Sequence, residues 1–376
     1  MSCYLDNAAT TVLSSKMKEY LTDNLDFFGN PSSVHSEGVK VNRLLKEVRE
    51  KVAMFIGADT SESVYFTSSG SASNTLGIQG YTLANECSIF YSPTAHKSIL
   101  KTIDNLGSFY NINTIELKVD HQGNIDVEYL YRVFNVVEGR VLVVVEYANS
   151  EIGTIQNIKA ISDIVHSYGG KLFVDCTGSI SSISLDVVDL DIDIATFSAH
   201  KIGALKGVGI LYKKTNITML PLVFGSQEQG LFAGTENVLG ILSLGKAIDL
   251  MDYRKTSHNR DFVWNIIKDI DDVSLVGASL YENRLINNLY VYVKGVQGGD
   301  LTALMDDLYR IQISTGSACN NGSPTPSSTA LAIGLSEEDA NSCVRISFSG
   351  NEPEDELKEF CKNFGTCIKM LRDLND

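Results

Sequence analysis

The chain has 376 residues, of which 44% are hydrophobic and 20% are charged, and its formal net charge is −15. This composition is typical of a globular protein with a large core and room for two domains. The acidic balance argues against a broad phosphate-binding face, so we expect no direct binding to nucleic acid. No apolar run approaches the roughly 20 residues of a membrane helix, so we expect no membrane span.

The seven cysteines are irregularly spaced, and the first six residues contain no basic stretch followed by an apolar one. The first feature argues against a disulfide framework, and the second argues against a secretory signal. The sequence also lacks CxxC and HxxxH spacings, so we expect no metal site. These observations together indicate a protein of the reducing cytoplasm.

Strands and helices alternate through most of the chain. Helices are predicted over 14–25 and 36–56, with a turn at 28–33 between them. This alternation implies βαβ units, a mostly parallel sheet and an α/β layer architecture. Strands are predicted over 64–67, 87–91, 141–146, 171–175, 192–197 and 208–212, and further helices from about 74 and over 158–168.

The last third of the sequence predicts a second, smaller α+β domain. A helix over 238–251 is followed by a polar run, which suggests a hinge, so we assign 14–252 to the large domain and 1–13 with 253–376 to the small one. A Gly, Ser and Pro-rich stretch at about 315–327 predicts a mobile loop that carries Cys319. Regular elements of this domain are predicted as strands over 289–293 and 344–348 and helices over 301–308, 337–343 and 354–371.

Polar residues of the types that bind ligands or catalyse reactions follow several of the predicted strands. In α/β sheets, ligands bind beyond the carboxyl ends of the strands. We therefore expect these residues to lie close together in the folded chain. They are Ser71, His96, Asn149, Asp175 and Lys201.

Lys201 follows the predicted strand at 192–197, in the run Ser-Ala-His-Lys at 198–201. A partly desolvated amine at this position has a lowered pKa and becomes a nucleophile for carbonyl groups. A solvated loop lysine is the simpler interpretation of this stretch alone. The other parts of the chain must distinguish the two.

Three of these residues have both a structural and a chemical interpretation. Asp175 ends a strand, where it either caps the following turn or pairs with a protonated pyridine nitrogen. Ser71 lies in a small-residue turn before a helix, where hydroxyls and backbone N–H groups hold phosphates in many proteins. His96 suits a structural role, ring stacking or proton transfer. None of these signals is specific by itself.

Nine short motifs, in order along nearly the whole chain, make the pattern specific. With them the sequence resembles the class V, fold-type I pyridoxal-phosphate enzymes, and among these the cysteine desulfurases of iron–sulfur assembly and nitrogen fixation. The motifs are 4–11 (Tyr-Leu-Asp-Asn-Ala-Ala-Thr-Thr), 29–33 (Gly-Asn-Pro-Ser-Ser), 96–97 (His-Lys), 149–153 (Asn-Ser-Glu-Ile-Gly), 174–175 (Val-Asp), 198–201 (Ser-Ala-His-Lys), 233–237 (Ala-Gly-Thr-Glu-Asn), 316–319 (Gly-Ser-Ala-Cys) and 344–347 (Val-Arg-Ile-Ser).

The resemblance implies a large domain with a mainly parallel seven-stranded sheet and a pyridoxal 5′-phosphate site. Lys201 would bind the cofactor covalently, Asp175 would pair with its pyridine nitrogen, and His96 would stack on its ring and take the substrate thiol proton. Thr235 would reach the phosphate bound in the other subunit, which implies a homodimer. The remaining cofactor-binding residues would be Gly70, Ser71, Ser198 and His200.

The resemblance also implies the substrate and the reaction. L-Cysteine would be converted to L-alanine, with sulfur held as a persulfide on Cys319 and passed to an acceptor protein, either a scaffold or a sulfurtransferase. Arg345 would hold the substrate carboxylate, as a planar guanidinium fits two oxygens; alone, it also suits a strand-edge surface arginine. Asn149, Ser150 and Asn7 would complete the substrate site. Iron–sulfur assembly, tRNA thiolation and DNA phosphorothioation all remain open as pathways.

Four residues depart from the family's usual pattern. Ser150 stands where a second asparagine is usual, and Gly178 stands where a glutamine donates to the cofactor's phenolic oxygen. Ala72 and Phe232 also replace the usual residues beside the phosphate turn and the Ala-Gly-Thr motif. These changes leave two alternatives open beside the desulfurase: a selenocysteine lyase or other class V enzyme, and a catalytically weakened sulfur-relay scaffold.

Overall fold

A seven-stranded sheet forms the centre of the protein in the computed structural model, which describes residues 3–252, 256–316 and 326–375. After the short strand β1 (Cys3–Tyr4), the chain supplies to this sheet β2 (Val64–Thr67), β3 (Ser88–Tyr91), β4 (Thr114–Glu116), β5 (Val141–Glu146), β6 (Lys171–Asp175), β7 (Ile194–Ser198) and β8 (Gly209–Lys213). The strand order is β2-β8-β7-β6-β5-β3-β4, and only β8 runs antiparallel to its neighbours. The predicted α/β class and mainly parallel seven-stranded sheet are confirmed.

Helices cover both faces of this sheet because its strands are apolar on both sides. Val143 points to one face and packs in the same cluster as Ile161, whereas Val144 points to the other face and packs with Ile99. The helices are α1 (Ser15–Asp23), α2 (Ser36–Phe55), α3 (Gly70–Thr75), α4 (Tyr81–Asn85), α5 (Lys97–Tyr110), α6 (Val127–Phe134), α7 (Ile158–Ser167) and α8 (Val238–Leu250). A π-helical turn, Leu76–Gly80, joins α3 to α4 in one continuous run.

The C-terminal part of the chain builds a separate antiparallel sheet, in the order β12-β10-β9, with its own core. Its elements are α9 (Thr256–Ile267), β9 (Val273–Leu275), β10 (Asn288–Val293), α10 (Gly298–Tyr309), β11 (Ile311–Gln312), α11 (Ser328–Ala332), α12 (Glu337–Asn341), β12 (Cys343–Ser347) and α13 (Glu354–Asn375). Leu5 packs in this core, and β1 pairs with β11 in parallel. None of the helices within the described ranges is long and apolar enough to cross a bilayer. The exact domain boundaries stay a prediction.

Several element boundaries differ by a few residues from the sequence-based expectation, and the start of α3 has a clear local reason. The helix expected from about residue 74 begins at Gly70, because the Ser69 hydroxyl accepts a hydrogen bond from the Ala72 N–H at 3.1 Å and caps it. The strand expected over 192–197 runs from Ile194 to Ser198. The predicted loop at 315–327 falls largely on residues 317–325, which lie outside the described residues together with Cys319.

Candidate active site

A pocket of about 520 Å³ opens at the carboxyl ends of β5, β6 and β7. Residues from the C-terminal sheet also line it, so the pocket lies where the two sheets face each other. The structure brings all five predicted strand-end residues into its lining. These are Ser71, His96, Asn149, Asp175 and Lys201, and Arg345 joins them from β12.

Lys201 ends a short 3₁₀ turn directly after β7, and this turn directs its side chain toward the N-terminal segment. Its Nζ donates to the carbonyl oxygens of Ala8 and Ala9, the second at 3.0 Å. Burial, together with the nearby Arg345 cation, lowers the pKa of the amine to about 8, although Asp6 and Asp175 oppose this shift. A substantial part of the amine is therefore uncharged slightly above neutral pH, as a nucleophile requires.

Asp175 is buried at the end of β6, and two donors fix its carboxylate. Asn74 Nδ2 donates to Oδ2 at 3.1 Å, and the backbone N–H of Thr177 donates to Oδ1 at 2.9 Å. Thr196 on β7 in turn donates to Asn74 Oδ1, which fixes the orientation of the amide. This arrangement stabilises an anion whose position in the pocket is set by three elements.

Hydroxyl groups and a helix N-terminus converge on one side of the pocket. Gly70 packs so closely on β7 that an added Cβ would lie 3.1 Å from the Ser198 Cβ. Ser71 is exposed on the first turn of the helical run, where the helix dipole favours an anion. The Thr177 hydroxyl is buried and has no hydrogen-bond partner among the described residues, which leaves a donor for a group bound here.

Two histidines line the pocket and differ in their hydrogen bonds and surroundings. His96 caps α5, and its Nδ1 accepts from the Ser98 N–H at 3.1 Å, which leaves Nε2 for a group in the pocket. Burial, and the cations of Lys201 and Lys206, lower the pKa of His200 to about 4. His200 is therefore neutral at physiological pH, and its Nδ1 lies 3.1 Å from the Thr10 hydroxyl.

Arg345 supplies a buried guanidinium from the middle of β12. Its NH2 donates to Asp6 Oδ1 at 2.7 Å, and NH1 approaches the Ser150 carbonyl oxygen at 3.5 Å. Its Nε has no partner within the described part of the chain. The ion pair with Asp6 holds the cation in place while leaving donor capacity toward the pocket.

The model of the aminotransferase class-V family matches residues 3–360 of this chain. The chain belongs to the class V aminotransferase family. A cysteine desulfurase IscS of Dictyoglomus turgidum is 34% identical over 99% of this chain and 96% of its own length. A solved NifS-like protein has a TM-score of 0.89 at 28% identity, covering 98% of this chain and 100% of its own. A structure of SspA in complex with cysteine has a TM-score of 0.81 at 28% identity, covering 94% and 100%.

Members of the class V family use pyridoxal phosphate, and the residues of this pocket fit that cofactor. The unpartnered Thr177 hydroxyl and the helix start at Gly70 suit a phosphate, while Asp175 offers a fixed carboxylate to a protonated ring nitrogen. Lys201 offers the amine with the lowered pKa. The described residues contain no group of three or more His, Cys, Asp or Glu side chains placed to hold a metal ion.

Of the other residues expected at the site, Asn149 lines the pocket with its amide already engaged, whereas Asn7 and Thr235 lie outside the pocket lining. The Asn149 amide is engaged by the backbone, since Nδ2 donates to the Thr94 carbonyl at 2.8 Å and Oδ1 accepts two N–H groups of its own loop. Asn7 donates to the Ser347 carbonyl at 3.0 Å and lines a small adjoining cavity rather than the main pocket. Thr235 is exposed and outside the pocket lining.

The departure at Gly178 has a steric cause in this chain. A Cβ at this position would lie 2.6 Å from the Ala148 carbonyl oxygen and 3.3 Å from the Ser150 Cβ. A glutamine, as is usual in relatives by the sequence pattern, therefore requires a shift of the loop that follows β5. The restriction at Gly178 comes chiefly from the backbone of that loop, so an asparagine at position 150 would leave it unchanged.

Sequence reasoning missed four residues of this pocket: Asp6, Asn74, Glu146 and Thr177. A signal for Glu146 was present, because it closes an apolar strand in the same way as Asp175 does. Asn74 acts through a bond to a residue far away in sequence, so no local pattern marks it. Asp6 lies in the 4–11 motif, but the motif did not assign it a role. Cys319 lies outside the described residues, but Gly316 and Ser327 on either side of that stretch line the pocket.

Proposed function

We propose that this chain is a cysteine desulfurase acting on L-cysteine. The C–S bond of the substrate breaks, an S–S bond forms to Cys319, and the released carbon gains a proton, so that L-alanine and an enzyme persulfide are the products. The two sulfur atoms that form the S–S bond give up two electrons, and these electrons reduce the carbon, so no further oxidant is required.

One observation carries this proposal: an amine of lowered pKa, a fixed carboxylate and a buried guanidinium share one pocket. These groups belong to Lys201, Asp175 and Arg345. The names of the relatives support the same activity, since they are cysteine desulfurases from bacteria and an archaeon. A structural neighbour was solved with cysteine bound, which supports the choice of substrate.

We assign the following roles to the residues of this chain. Bound pyridoxal phosphate supplies an electron sink next to the carbon that loses a proton. Arg345 binds the substrate carboxylate, and Lys201 takes the α-proton. His96 accepts the proton of the substrate thiol through Nε2. The thiolate of Cys319 attacks the substrate sulfur, since only the ionised thiol is a nucleophile toward sulfur.

The phosphate of the cofactor would bind Gly70, Ser71, Ser198 and His200, with the Thr177 hydroxyl as a further donor. Thr235 would reach the phosphate of a partner subunit in a homodimer. Large apolar side chains that are exposed on the surface are the candidates for such an interface. Phe28 is 79% exposed, Val34 is 96% exposed and Phe224 is 84% exposed.

An acceptor protein would take the sulfur from Cys319, which requires the persulfide to leave the pocket. We propose residues 14–252 as the cofactor-binding domain and residues 1–13 with 253–376 as the domain that carries Cys319. The other six cysteines are free and buried, which suits the reducing cytoplasm that we propose as the location.

The test incubates the purified protein with L-cysteine and measures alanine, sulfide and protein-bound persulfide. We expect Lys201→Ala to lower alanine formation by about 10²–10⁴-fold, because a general base is lost. We expect Cys319→Ser to abolish the persulfide and to slow alanine release. Lys101→Ala is the matched control, since this lysine is exposed and outside the pocket lining.

Two outcomes would contradict the proposal in different ways. Alanine formation that is unchanged in Cys319→Ser indicates a lyase that needs no persulfide. A cofactor absorption band without any turnover indicates a sulfur-relay scaffold.

A further inference from the structure

Glu146 is a buried carboxyl group of the pocket to which the reaction above gives no role. It ends β5, is 5% exposed and lines the pocket. Glu146 pairs in register with Asp175 on β6, and Asp175 pairs with Thr196 on β7. Side chains in register on adjacent parallel strands point to the same face, with the strands about 4.8 Å apart. Two carboxyl groups therefore stand side by side at the end of the sheet.

The surroundings of the two carboxyl groups differ. Asp175 accepts one hydrogen bond on each oxygen, from Asn74 and from the Thr177 N–H. Glu146 accepts from the Thr94 hydroxyl on Oε1, with Ser92 and Asn149 nearby, and its Oε2 is buried with no hydrogen-bond partner among the described residues. A bare anionic oxygen without solvent is strongly unfavourable, whereas a protonated carboxyl is tolerated.

This difference places the proton on Glu146, whereas each oxygen of Asp175 already accepts from an N–H donor. Environments that separate neighbouring carboxyl groups in this way assign one the ionised role and the other the acid role. Burial raises the pKa of Glu146, and this effect outweighs the opposing effects of Thr94, Ser92 and Asn149.

Glu146 is connected with His96 through the turn that precedes this histidine. Thr94, its hydrogen-bond partner, is two residues before His96 and lies 2.8 Å from the Ser92 hydroxyl. Asn149 also holds this turn, through its bond to the Thr94 carbonyl. The end of β5 and the loop after it thus fix the turn that presents His96 to the pocket.

We propose that Glu146 is a second acid of this pocket, which stays protonated beside Asp175 and positions His96 through Thr94. The His96 part of this inference rests on the proposed desulfurase function, whereas the protonation of Glu146 does not. As a neutral group, Glu146 adds no negative charge beside Asp175 at this point of the sheet.

The protonation is tested on the protein without added cofactor. An infrared difference spectrum between wild type and Glu146→Gln should contain the carbonyl band of a protonated carboxylic acid, lost in the variant and shifted in D₂O. A difference spectrum that contains only carboxylate bands would overturn the assignment. This readout is independent of turnover, so it separates the state of Glu146 from the desulfurase proposal.

Titration with pyridoxal phosphate gives a second readout of charge. Glutamine has the size of a protonated glutamate and no charge, so Glu146→Gln should bind the cofactor within about twofold of wild type. The pH midpoint of the visible absorption band should also stay unchanged. If Glu146 were an anion, its loss would lower this midpoint, because a negative charge favours the protonated form of the cofactor's link to Lys201.

The positioning role is tested with Glu146→Ala, Thr94→Val and the double variant. Misplacement of His96 should lower kcat by about 10- to 100-fold with little change in KM, and Glu146→Gln should retain activity. Because both residues act through one contact, the double variant should be no slower than the slower single variant. Losses that multiply in the double variant would show independent action and overturn the role.

Unfolding midpoints of the three variants show whether Glu146→Ala folds. If it does not, Thr94→Val with Glu146→Gln still decides the positioning role. If wild type forms no alanine while the infrared band is present, the desulfurase proposal fails and the protonated Glu146 stands.

Discussion

Buried polar groups differ between the two ends of the central parallel strands. We call the carboxyl ends, which line the pocket, the pocket edge, and the amino ends the saturated edge. Six buried side-chain polar atoms in the described residues lack a hydrogen-bond partner, and three of these belong to residues that line the pocket. They are Glu146 Oε2, Thr177 Oγ1 and Arg345 Nε. Unpaired buried groups are rare in folded proteins, and their concentration here marks a place kept ready for a ligand.

At the saturated edge, both oxygens of a buried carboxylate have hydrogen-bond or ion-pair partners. Asp193 has no exposed surface, and its Oδ2 accepts from the Leu172 N–H at 2.9 Å and contacts His166 Nε2 at 2.7 Å. Its Oδ1 lies 3.1 Å from Lys171 Nζ and 3.3 Å from Lys214 Nζ. These partners lower the pKa of Asp193 to about 2 despite its burial.

The comparison separates function from stability within one sheet. Charges at the saturated edge stabilise the fold and have no capacity left for a ligand. Polar groups at the pocket edge weaken the fold slightly and recover that free energy when a ligand binds. Substitutions at the two edges should therefore change different measurements.

The largest expected effect is that of Asp193→Ala on stability. Removing this carboxylate leaves Lys171 and the Leu172 N–H without their acceptor and leaves Lys214 with Asp191 alone, and we expect a loss of about 3 kcal/mol in the free energy of unfolding. The two lysines are partly exposed, so they regain some hydration. Chemical denaturation measures the loss, and cofactor affinity of the folded fraction should not change.

Asp163→Ala is the control for this substitution. Asp163 also pairs with a lysine, Lys159 at 2.6 Å, but both side chains are exposed on α7. Solvent screens such pairs, so the unfolding midpoint should stay where it is in wild type. Equal losses of unfolding free energy in Asp193→Ala and Asp163→Ala would mean that the buried, fully paired carboxylate stabilises the fold no more than an exposed one does.

The strands of the central sheet were the part most accessible to sequence reasoning, whereas the Asp193 cluster was not predicted. The run of valines over 141–145 predicts β5 because β-branched residues suit a strand buried on both faces. Lys201 and Asp175 were also predicted, since strand ends are readable and the parallel sheet brings them to one edge.

What the sequence did not predict is which polar atoms remain unpaired. The anchoring of Asp175 requires Asn74 on a helix and Thr196 on another strand, and the clash at Gly178 requires the backbone of Ala148. Such contacts arise from tertiary packing, and no pattern of apolar residues encodes them. The start of the helix at Gly70 was readable from its Ser69 cap, but it was placed too late.

Acidification should lower the free energy of unfolding in two separate pH ranges, one set by His200 at the pocket edge and one set by Asp193 at the saturated edge. The folded pKa of His200 is about 4 against an ordinary value of 6.5, so the unfolded chain takes up a proton first and stability falls between about pH 6.5 and 4. The folded pKa of Asp193 is about 2 against 3.8, so its contribution of about 2 kcal/mol is present above pH 4 and is lost toward pH 2.

Unfolding free energies measured across this range should assign each window to its residue. His200→Gln should flatten the slope between pH 6.5 and 4 and leave the lower window intact. Asp193→Asn should do the reverse. A single transition that neither variant alters would show that other groups control the acid response.

The smallest expected effect, and the most specific one for the pocket edge, is that of Thr177→Val. Valine has the shape of threonine without the unpaired hydroxyl, so the protein without cofactor should be as stable as wild type or up to about 1 kcal/mol more stable. Affinity for pyridoxal phosphate should fall by about tenfold, because a hydrogen bond to a charged group is lost. Thermal unfolding and cofactor titration measure the two effects.

Thr82→Val provides the matched control for Thr177→Val. The Thr82 hydroxyl is also buried without a hydrogen-bond partner among the described residues, but Thr82 does not line the pocket. Its replacement should therefore leave cofactor affinity unchanged while its effect on stability resembles that of Thr177→Val. If both variants lost affinity equally, or neither did, an unpaired hydroxyl at the pocket would be no more than a local packing feature. A loss of cofactor affinity in Thr177→Val but not in Thr82→Val, together with the loss of stability in Asp193→Ala, would separate the two roles. Polar groups at the pocket edge would then serve ligand binding, and those at the saturated edge would serve the stability of the fold.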